Sequence, residues 1–167
     1  MPRIPLSDIE QQPEPIREFL ARRGDLGVFR LLANAPQVFV GWSQMVDDLF
    51  ASPTFSQRMK QVIILRVAHL QNSRSLAGTV GLSEQEIAAI TDVGDREAAG
   101  LSETERAALN LVTELCTTHR LGDDTFATAN QLFGTEALTE LLMIVSWSYG
   151  LALVENALES DDANPLP

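Results

Sequence analysis

The sequence predicts an all-α fold, and three observations support this prediction. Apolar residues recur at intervals of three and four along most of the chain, which places them on one face of a helix. Alternating apolar and polar runs bounded by turn residues, the pattern typical of strands, are absent. Ser83 with Glu86 and Ser102 with Glu105 form two capping-box patterns before apolar runs, and each predicts the start of a helix.

The first helices are predicted from proline and cap positions. Pro15 opens a helix that runs to about Arg23, and a second helical segment covers about 28–50. Pro36 must break or kink that segment, because proline lacks the amide hydrogen that a helix interior requires. Thr54 or Ser56 then caps a third helix with the sequence QRMKQVIILRVAHLQN. This run is apolar on nearly all sides and is therefore expected to be the central buried helix.

Later helices follow from the same kind of signal. Ser83 and Ser102 each start one helix, and Asp123 or Asp124 is expected to cap a short one. Thr135 opens a long, largely apolar helix through Leu158, which Gly150 interrupts without necessarily ending it. The runs at about 56–72 and 136–158 are predicted to be the most buried. Neighbours within one chain shield only part of such helices, so a homo-oligomer is expected.

Composition limits the classes of function. The 167 residues, 45% of them hydrophobic, suit a single globular domain with extended proline-rich termini. Acidic residues outnumber basic ones 23 to 12 and give a net charge of −11, which would repel a nucleic acid. The N-terminus lacks the apolar core of a signal peptide, and the apolar stretches are interrupted before about 18 residues. We therefore expect a cytoplasmic protein with no membrane or nucleic-acid partner.

Several kinds of chemical site are not indicated. A Gly-rich phosphate loop, an HExxH motif and a GxSxG motif are all missing. The two histidines lie far apart, so neither a metal nor another cofactor is predicted. The single cysteine, Cys116, cannot form an internal disulfide and is expected to be a small core residue. His119 ends a helix, where capping is the expected role.

The third predicted helix carries the most suggestive cluster of polar residues. On a helical wheel, Gln61, Arg66, His69, Asn72 and Ser73 fall within an arc of roughly 140°. Buried polar groups require partners or a wet pocket, because each unpaired group costs about 1–3 kcal/mol. Two interpretations remain: an internal or intersubunit hydrogen-bond network, or the wall of a ligand pocket. Three aromatic residues of apolar helices could complete such a pocket or belong to the core; they are Trp42, Trp147 and Tyr149.

The order of blocks along the chain resembles the carboxymuconolactone decarboxylase and alkylhydroperoxidase D family. The blocks are SQRMKQVIILRVAHLQNS, VGLSEQEIAAI, LSETERAALNLVTELCTTHRLGDDTFATANQLFG and ELLMIVSWSYGLALVENALE. The resemblance covers about residues 25–160. It implies an all-helical bundle, an oligomer (dimer, trimer or hexamer) built from long helices, and a small pocket near the start of the helix with the polar cluster.

The redox residues of that family are missing from this chain. Gln61 stands at the glutamate position, and Ser73 and Leu76 stand at the two cysteine positions of the CxxC motif. About seven residues that follow the motif in the family, close to two helical turns, have no counterpart here. A hydroxyl provides no thiolate near neutral pH, so thiol peroxidase activity is not expected.

Two functions therefore remain. The first is a non-redox enzyme that decarboxylates, isomerises or cyclises a small organic molecule. In it, His69 would be the general acid or base, Arg66 or Arg74 would hold a carboxylate, and Gln61 and Ser73 would orient the substrate. The second is a catalytically silent oligomeric scaffold or binding protein that has lost the redox site.

Overall fold

The structure is a computed structural model that describes residues 2–78, 81–92 and 100–160. Within these ranges the regular secondary structure is helical, which confirms the predicted all-α class. A short 3-10 helix at Ile9–Gln11 precedes α1 (Glu14–Arg23), α2 (Gly27–Leu32), α3 (Pro36–Ala51), α4 (Gln57–Gln71), α5 (Arg74–Gly78), α6 (Glu84–Thr91), α7 (Glu103–Thr118) and α8 (Asp123–Leu158).

Most predicted helix starts agree with the structure. Pro36 lies in the first turn of α3, where its missing amide hydrogen costs nothing, and α2 ends at Leu32. Ser56, one of the two candidates, caps α4, since its hydroxyl accepts a hydrogen bond from the Met59 amide at 3.2 Å. Both capping boxes form, at Ser83 and at Ser102.

The start of the last helix differs from the prediction. The N-cap residue of α8 is Gly122, so neither Asp123 nor Asp124 is the cap. Both aspartates lie in the first turn instead, where a negative charge interacts favourably with the exposed amide groups. The two helices expected on either side of Thr135 are joined at a kink, because Gly134 adopts φ 71° and ψ 170°. The helix continues through Gly150.

The core is built around α4, as the sequence predicted. Residues 62–68 of this helix are all buried, and α4 packs against α5, α6, α7 and α8. The α7 and α8 helices also pack against each other, which makes α4, α7 and α8 the central bundle. The α1 helix packs on α3, while α2 and α3 cover one side of α8.

The N-terminal arm is attached to this bundle. The Arg3 amide donates to the carbonyl oxygen of Leu158 at 2.9 Å, and the Asn34 side chain donates to the carbonyl oxygen of Pro5 at 2.9 Å. Arg30 donates two hydrogen bonds to the carbonyl oxygen of Ser7. The expected C-terminal arm, residues 161–167, lies outside the described residues.

The last helix, α8, combines unusual length with an apolar composition. Among the described helices, α8 is long and apolar enough to cross a membrane, by length and composition alone. Its packing on α2, α3, α4, α5 and α7 gives a second reason for this composition. A helix with that many neighbours must be apolar on several faces.

Candidate functional site

The polar residues predicted to share one arc of α4 have different surroundings in the structure. Gln61 is half-buried and lines a cavity. Arg66 is buried, with 2% of its surface exposed. His69 is exposed in the last turn of α4, and Ser73 is buried just beyond the helix. The structure therefore does not bring these residues together around one space.

Arg66 is bonded to two neighbouring helices. Its Nε donates to Thr113 Oγ1 of α7 at 3.0 Å. Its Nη1 donates to the carbonyl oxygens of Ile90 and Thr91, at 3.1 and 2.7 Å, where α6 ends. A guanidinium at the C-terminus of a helix satisfies carbonyl groups that the helix itself leaves open. These contacts give Arg66 a structural role in holding α4, α6 and α7 together.

Ser73 and Arg74 also have structural contacts. The Ser73 hydroxyl donates to Glu155 Oε2 of α8. The other carboxylate oxygen, Oε1, accepts hydrogen bonds from the backbone amides of Arg74 and Ser75 at 3.0 and 3.1 Å. Glu155 thus binds the start of α5 and attaches it to α8, while the Arg74 side chain is exposed.

The cavity beside Gln61 has a volume of about 260 Å³. It lies among α1, α3, α4 and α8, and Phe29 of α2 and Leu76 of α5 complete its wall. Its polar lining consists of Arg22, Arg23, Gln57 and Gln61. Apolar and aromatic side chains, among them Val46, Phe50, Ile64 and Trp147, form the rest. A small space with apolar walls and a few polar groups is the usual form of a ligand site.

The two arginines of this cavity share one carboxylate. Arg22 Nη2 lies 2.7 Å from Asp47 Oδ2, and Arg23 Nη2 lies 2.9 Å from Asp47 Oδ1. Burial alone would raise the pKa of Asp47, but the hydrogen bonds from Arg22 and Arg23 outweigh it and hold that pKa below its ordinary value. Arg23 also lies over the Phe50 ring, 4.5 Å from its centroid. Arg22 Nη1 also lies 3.8 Å from Glu18 Oε2, so the two guanidinium groups face two carboxylates, Asp47 and Glu18.

The remaining polar groups have hydrogen-bonding capacity to offer a ligand. Gln57 donates its amide to the carbonyl oxygen of Phe50 at 3.1 Å, so its own oxygen remains an acceptor. Trp147 is 8% exposed, and its indole nitrogen has no acceptor among the described residues. A buried donor without an acceptor is uncommon in a folded protein.

The three aromatic residues predicted to line one pocket, Trp42, Trp147 and Tyr149, do not share a single cavity. Trp147 lines the Gln61 cavity, with its ring 5.5 Å from Phe50 and 6.3 Å from Trp42 between centroids. Trp42 does not line that cavity; its ring stacks on Phe39. Trp42 and Trp147 together line a separate shallow pocket. Tyr149 lies elsewhere, with its ring 6.3 Å from His119 and at the edge of another cleft.

Sequence reasoning missed the basic residues of this region. Arg22 and Arg23 of α1 and Lys60 of α4 are not among the site residues that the sequence predicts. Lys60 is 1% exposed, and its ammonium group donates to the carbonyl oxygens of Phe50 and Ser52 at 3.0 and 2.7 Å. Burial lowers its pKa, while nearby Glu140 opposes that shift. The one available signal was a lysine in the helix that the sequence predicts to be the central buried one.

Neither a protein-family model nor a curated protein matches this chain. The resemblance to the carboxymuconolactone decarboxylase family therefore stays a prediction.

Proposed function

We propose that the protein is a non-redox enzyme of the carboxymuconolactone decarboxylase-like type and that it acts on a small organic anion in the Gln61 cavity. The observation that carries this proposal is one half-open cavity whose lining combines two arginines with the aromatic side chains of Phe29, Phe50 and Trp147. A carboxylate or oxyanion would bind at Arg22 and Arg23, which keep N–H donors beyond those bound to Asp47.

The chemistry we propose rests on substrate orientation and charge stabilisation. Gln57 and Gln61 would orient the substrate by hydrogen bonds, and the arginine pair would stabilise negative charge that develops in the transition state. Decarboxylation develops such charge, as do isomerisation and cyclisation when they pass through an enolate, and none of these reactions needs a redox group. Thiol peroxidase activity is not expected, because burial raises the pKa of the lone Cys116 thiol to about 11.

Binding of a planar carboxylate tests the site directly. Benzoate is expected to bind the protein in calorimetric titration, and Gln61→Leu is expected to weaken that binding by at least about tenfold. The matched control is Gln71→Leu, at the end of the same helix and outside the cavity lining, which should leave affinity unchanged. Equal affinities in both variants would argue against the Gln61 cavity as the site.

His69 provides a second test of where the chemistry occurs. The sequence suggested it as the general acid or base, but its side chain is exposed and does not line the Gln61 cavity. We therefore expect His69→Gln to retain full benzoate affinity and, once a substrate is known, full turnover. A loss of about 10²-fold or more in turnover would restore His69 as the catalytic acid or base.

The alternative is the silent oligomeric scaffold. Its support is that Arg66 and Ser73, two members of the predicted site, are both used in bonds between helices. A chain that binds no carboxylate in its Gln61 cavity but still assembles into an oligomer would fit this second function.

A further inference from the structure

A second cleft lies between the end of α7 and the middle of α8. Its volume is about 330 Å³, and it shares no lining residue with the Gln61 cavity. Leu115 and Cys116 of α7 form one wall, and Leu142 and Val145 of α8 form the other. The volume falls within the range of small-molecule sites.

The charge of the lining restricts what this cleft can hold. None of the described residues that line it is Asp, Glu, Lys or Arg. The Cys116 thiol is buried and in its neutral form at neutral pH. A carboxylate or an ammonium ion would therefore lose hydration and meet no permanently charged partner, since the imidazole of His119 is the one lining group, among the described residues, that can take up a positive charge. The lining favours a neutral molecule.

Polar side chains occur at the rim of the cleft. His119, in the left-handed conformation with φ 60°, ends α7 and is exposed. Its ring contacts the Tyr149 ring edge to face, with an interplanar angle of 82°. The Ser146 hydroxyl donates to the carbonyl oxygen of Met143 at 2.9 Å and keeps its acceptor capacity. Imidazole, phenol and hydroxyl can each bond a ligand hydroxyl or carbonyl group.

Gly150 adds to the open space at the edge of the cleft. Glycine inside a helix costs about 0.5–1 kcal/mol relative to alanine, and Gly150 lies well inside α8. A Cβ atom built there would meet no other atom within 4 Å. Packing within the subunit therefore does not require glycine at this position. Gly150 lines both this cleft and the pocket beside Trp42, so a large side chain there would occupy open space.

We propose that the cleft of Cys116, His119, Tyr149 and Gly150 binds a small neutral organic molecule, an aromatic or cyclic compound that carries one hydroxyl or carbonyl group. The ring occupies the apolar space between α7 and α8, and the polar group bonds His119 or Tyr149 at the rim. This site is separate from the anion site proposed at Gln61.

The first experiment uses Cys116 as a local reporter. It is the sole cysteine of the chain, so modification by methyl methanethiolsulfonate reports on this cleft alone. The neutral probe 4-methylphenol is expected to slow that modification at least about fivefold. The charged analogue 4-methylbenzoate, of nearly the same shape, is expected to leave the rate unchanged. Equal effects of the two probes, or none from either, would overturn the proposal.

The second experiment fills part of the cleft with a leucine side chain at position 150. Calorimetric titration should give 4-methylphenol a Kd of about 1 mM or tighter with the unaltered protein, and Gly150→Leu should weaken it at least tenfold. Ala127→Leu is the control and should leave the affinity unchanged, because Ala127 is an exposed residue of the same helix and lies outside the lining of the cleft. Unchanged affinity in Gly150→Leu would overturn the proposal. So would a changed oligomeric state in that variant, because the cleft would then be a subunit contact.

Discussion

At the scale of single residues, the structure separates two arginines that the sequence treated alike. Arg66 and Arg74 were both candidates for holding a substrate carboxylate. Arg66 is buried and donates to α6 and α7, whereas the Arg74 side chain is exposed. A buried guanidinium is stable only where its donors are satisfied, so its surroundings are part of the fold.

Replacing Arg66 is expected to destabilise the protein. Arg66→Met would leave the carbonyl oxygens at the end of α6 without their donor, which costs roughly 1–3 kcal/mol. The matched control Arg74→Met removes an exposed cation and should change stability by no more than about 0.5 kcal/mol. Urea unfolding followed by circular dichroism measures both. If Arg66→Met unfolded like the original protein, the bonds to α6 would not be stabilising.

At the scale of helices, Arg58 connects three elements. Arg58 lies in the first turn of α4. It pairs with Glu86, which belongs to the capping box of α6. Its Nε also lies 2.7 Å from Oε1 of Glu105, which belongs to the capping box of α7. The hydrogen bonds from Ser83 and Arg58 lower the pKa of Glu86 to about 2. Burial opposes the shift at Glu105, but hydrogen bonds from Ser102 and Arg58 lower its pKa as well.

These shifts predict how stability changes in acid. A carboxylate whose pKa is lowered by folding stabilises the folded protein at any pH above the ordinary pKa of that group, which is 4.5 for Glu86. The contribution of Glu86 is lost as the pH falls from 4.5 towards 2. Arg58→Met should therefore unfold at a higher pH than the original protein and melt a few degrees lower at pH 7.

The control for this prediction is Arg17→Met. Arg17 is an exposed residue of α1, so its replacement removes one positive charge without touching either capping box. Acid titration followed by circular dichroism should give Arg17→Met the same unfolding midpoint as the original protein. A shift as large as that of Arg58→Met would mean that net charge, and not the capping boxes, sets acid stability.

At the scale of the whole molecule, the notable feature is apolar surface on α3 and α8. Met45, Met143 and Leu153 are 37%, 44% and 50% exposed. A groove of about 850 Å³ runs between the two helices, with Gly41, Met45 and Met143 among its lining residues. Met45 and Met143 both line this groove, whereas Leu153 lies outside its lining. Exposed apolar patches are typical of protein interfaces. This arrangement supports the proposed homo-oligomer.

The oligomer prediction can be tested on this face. The double change Met143→Glu and Leu153→Glu places two charges on one side of α8 and should reduce the assembly to a monomer in sedimentation velocity experiments. Phe126→Glu is the control, because Phe126 is 50% exposed in the first part of α8, before the kink at Gly134. A monomeric unaltered protein, or an assembly that persists in the double variant, would contradict the prediction.

The sequence by itself determined the elements whose causes are local. The break at Pro36 and the two capping boxes depend on residues at most three or four positions apart, and all of them form. For the cap of α4 the sequence offered Thr54 or Ser56, and the structure has Ser56. The central position of α4 also follows from local composition, because a helix that is apolar on most sides must be covered by its neighbours. The start of α8 was misjudged, since aspartate is favourable both as a cap and in the first turn.

The tertiary structure alone decided the use of each polar side chain. Ser73 bonds Glu155, 82 positions away, and Arg66 bonds Thr113, 47 positions away; no helical wheel of α4 contains those partners. Gln61 gains its cationic neighbours from α1, and Tyr149 belongs to a cleft with the end of α7. Helical periodicity specifies which side of one helix a residue occupies, whereas a binding site requires the faces of several helices to meet. That meeting depends on how distant segments pack, which residue spacing along the chain does not encode.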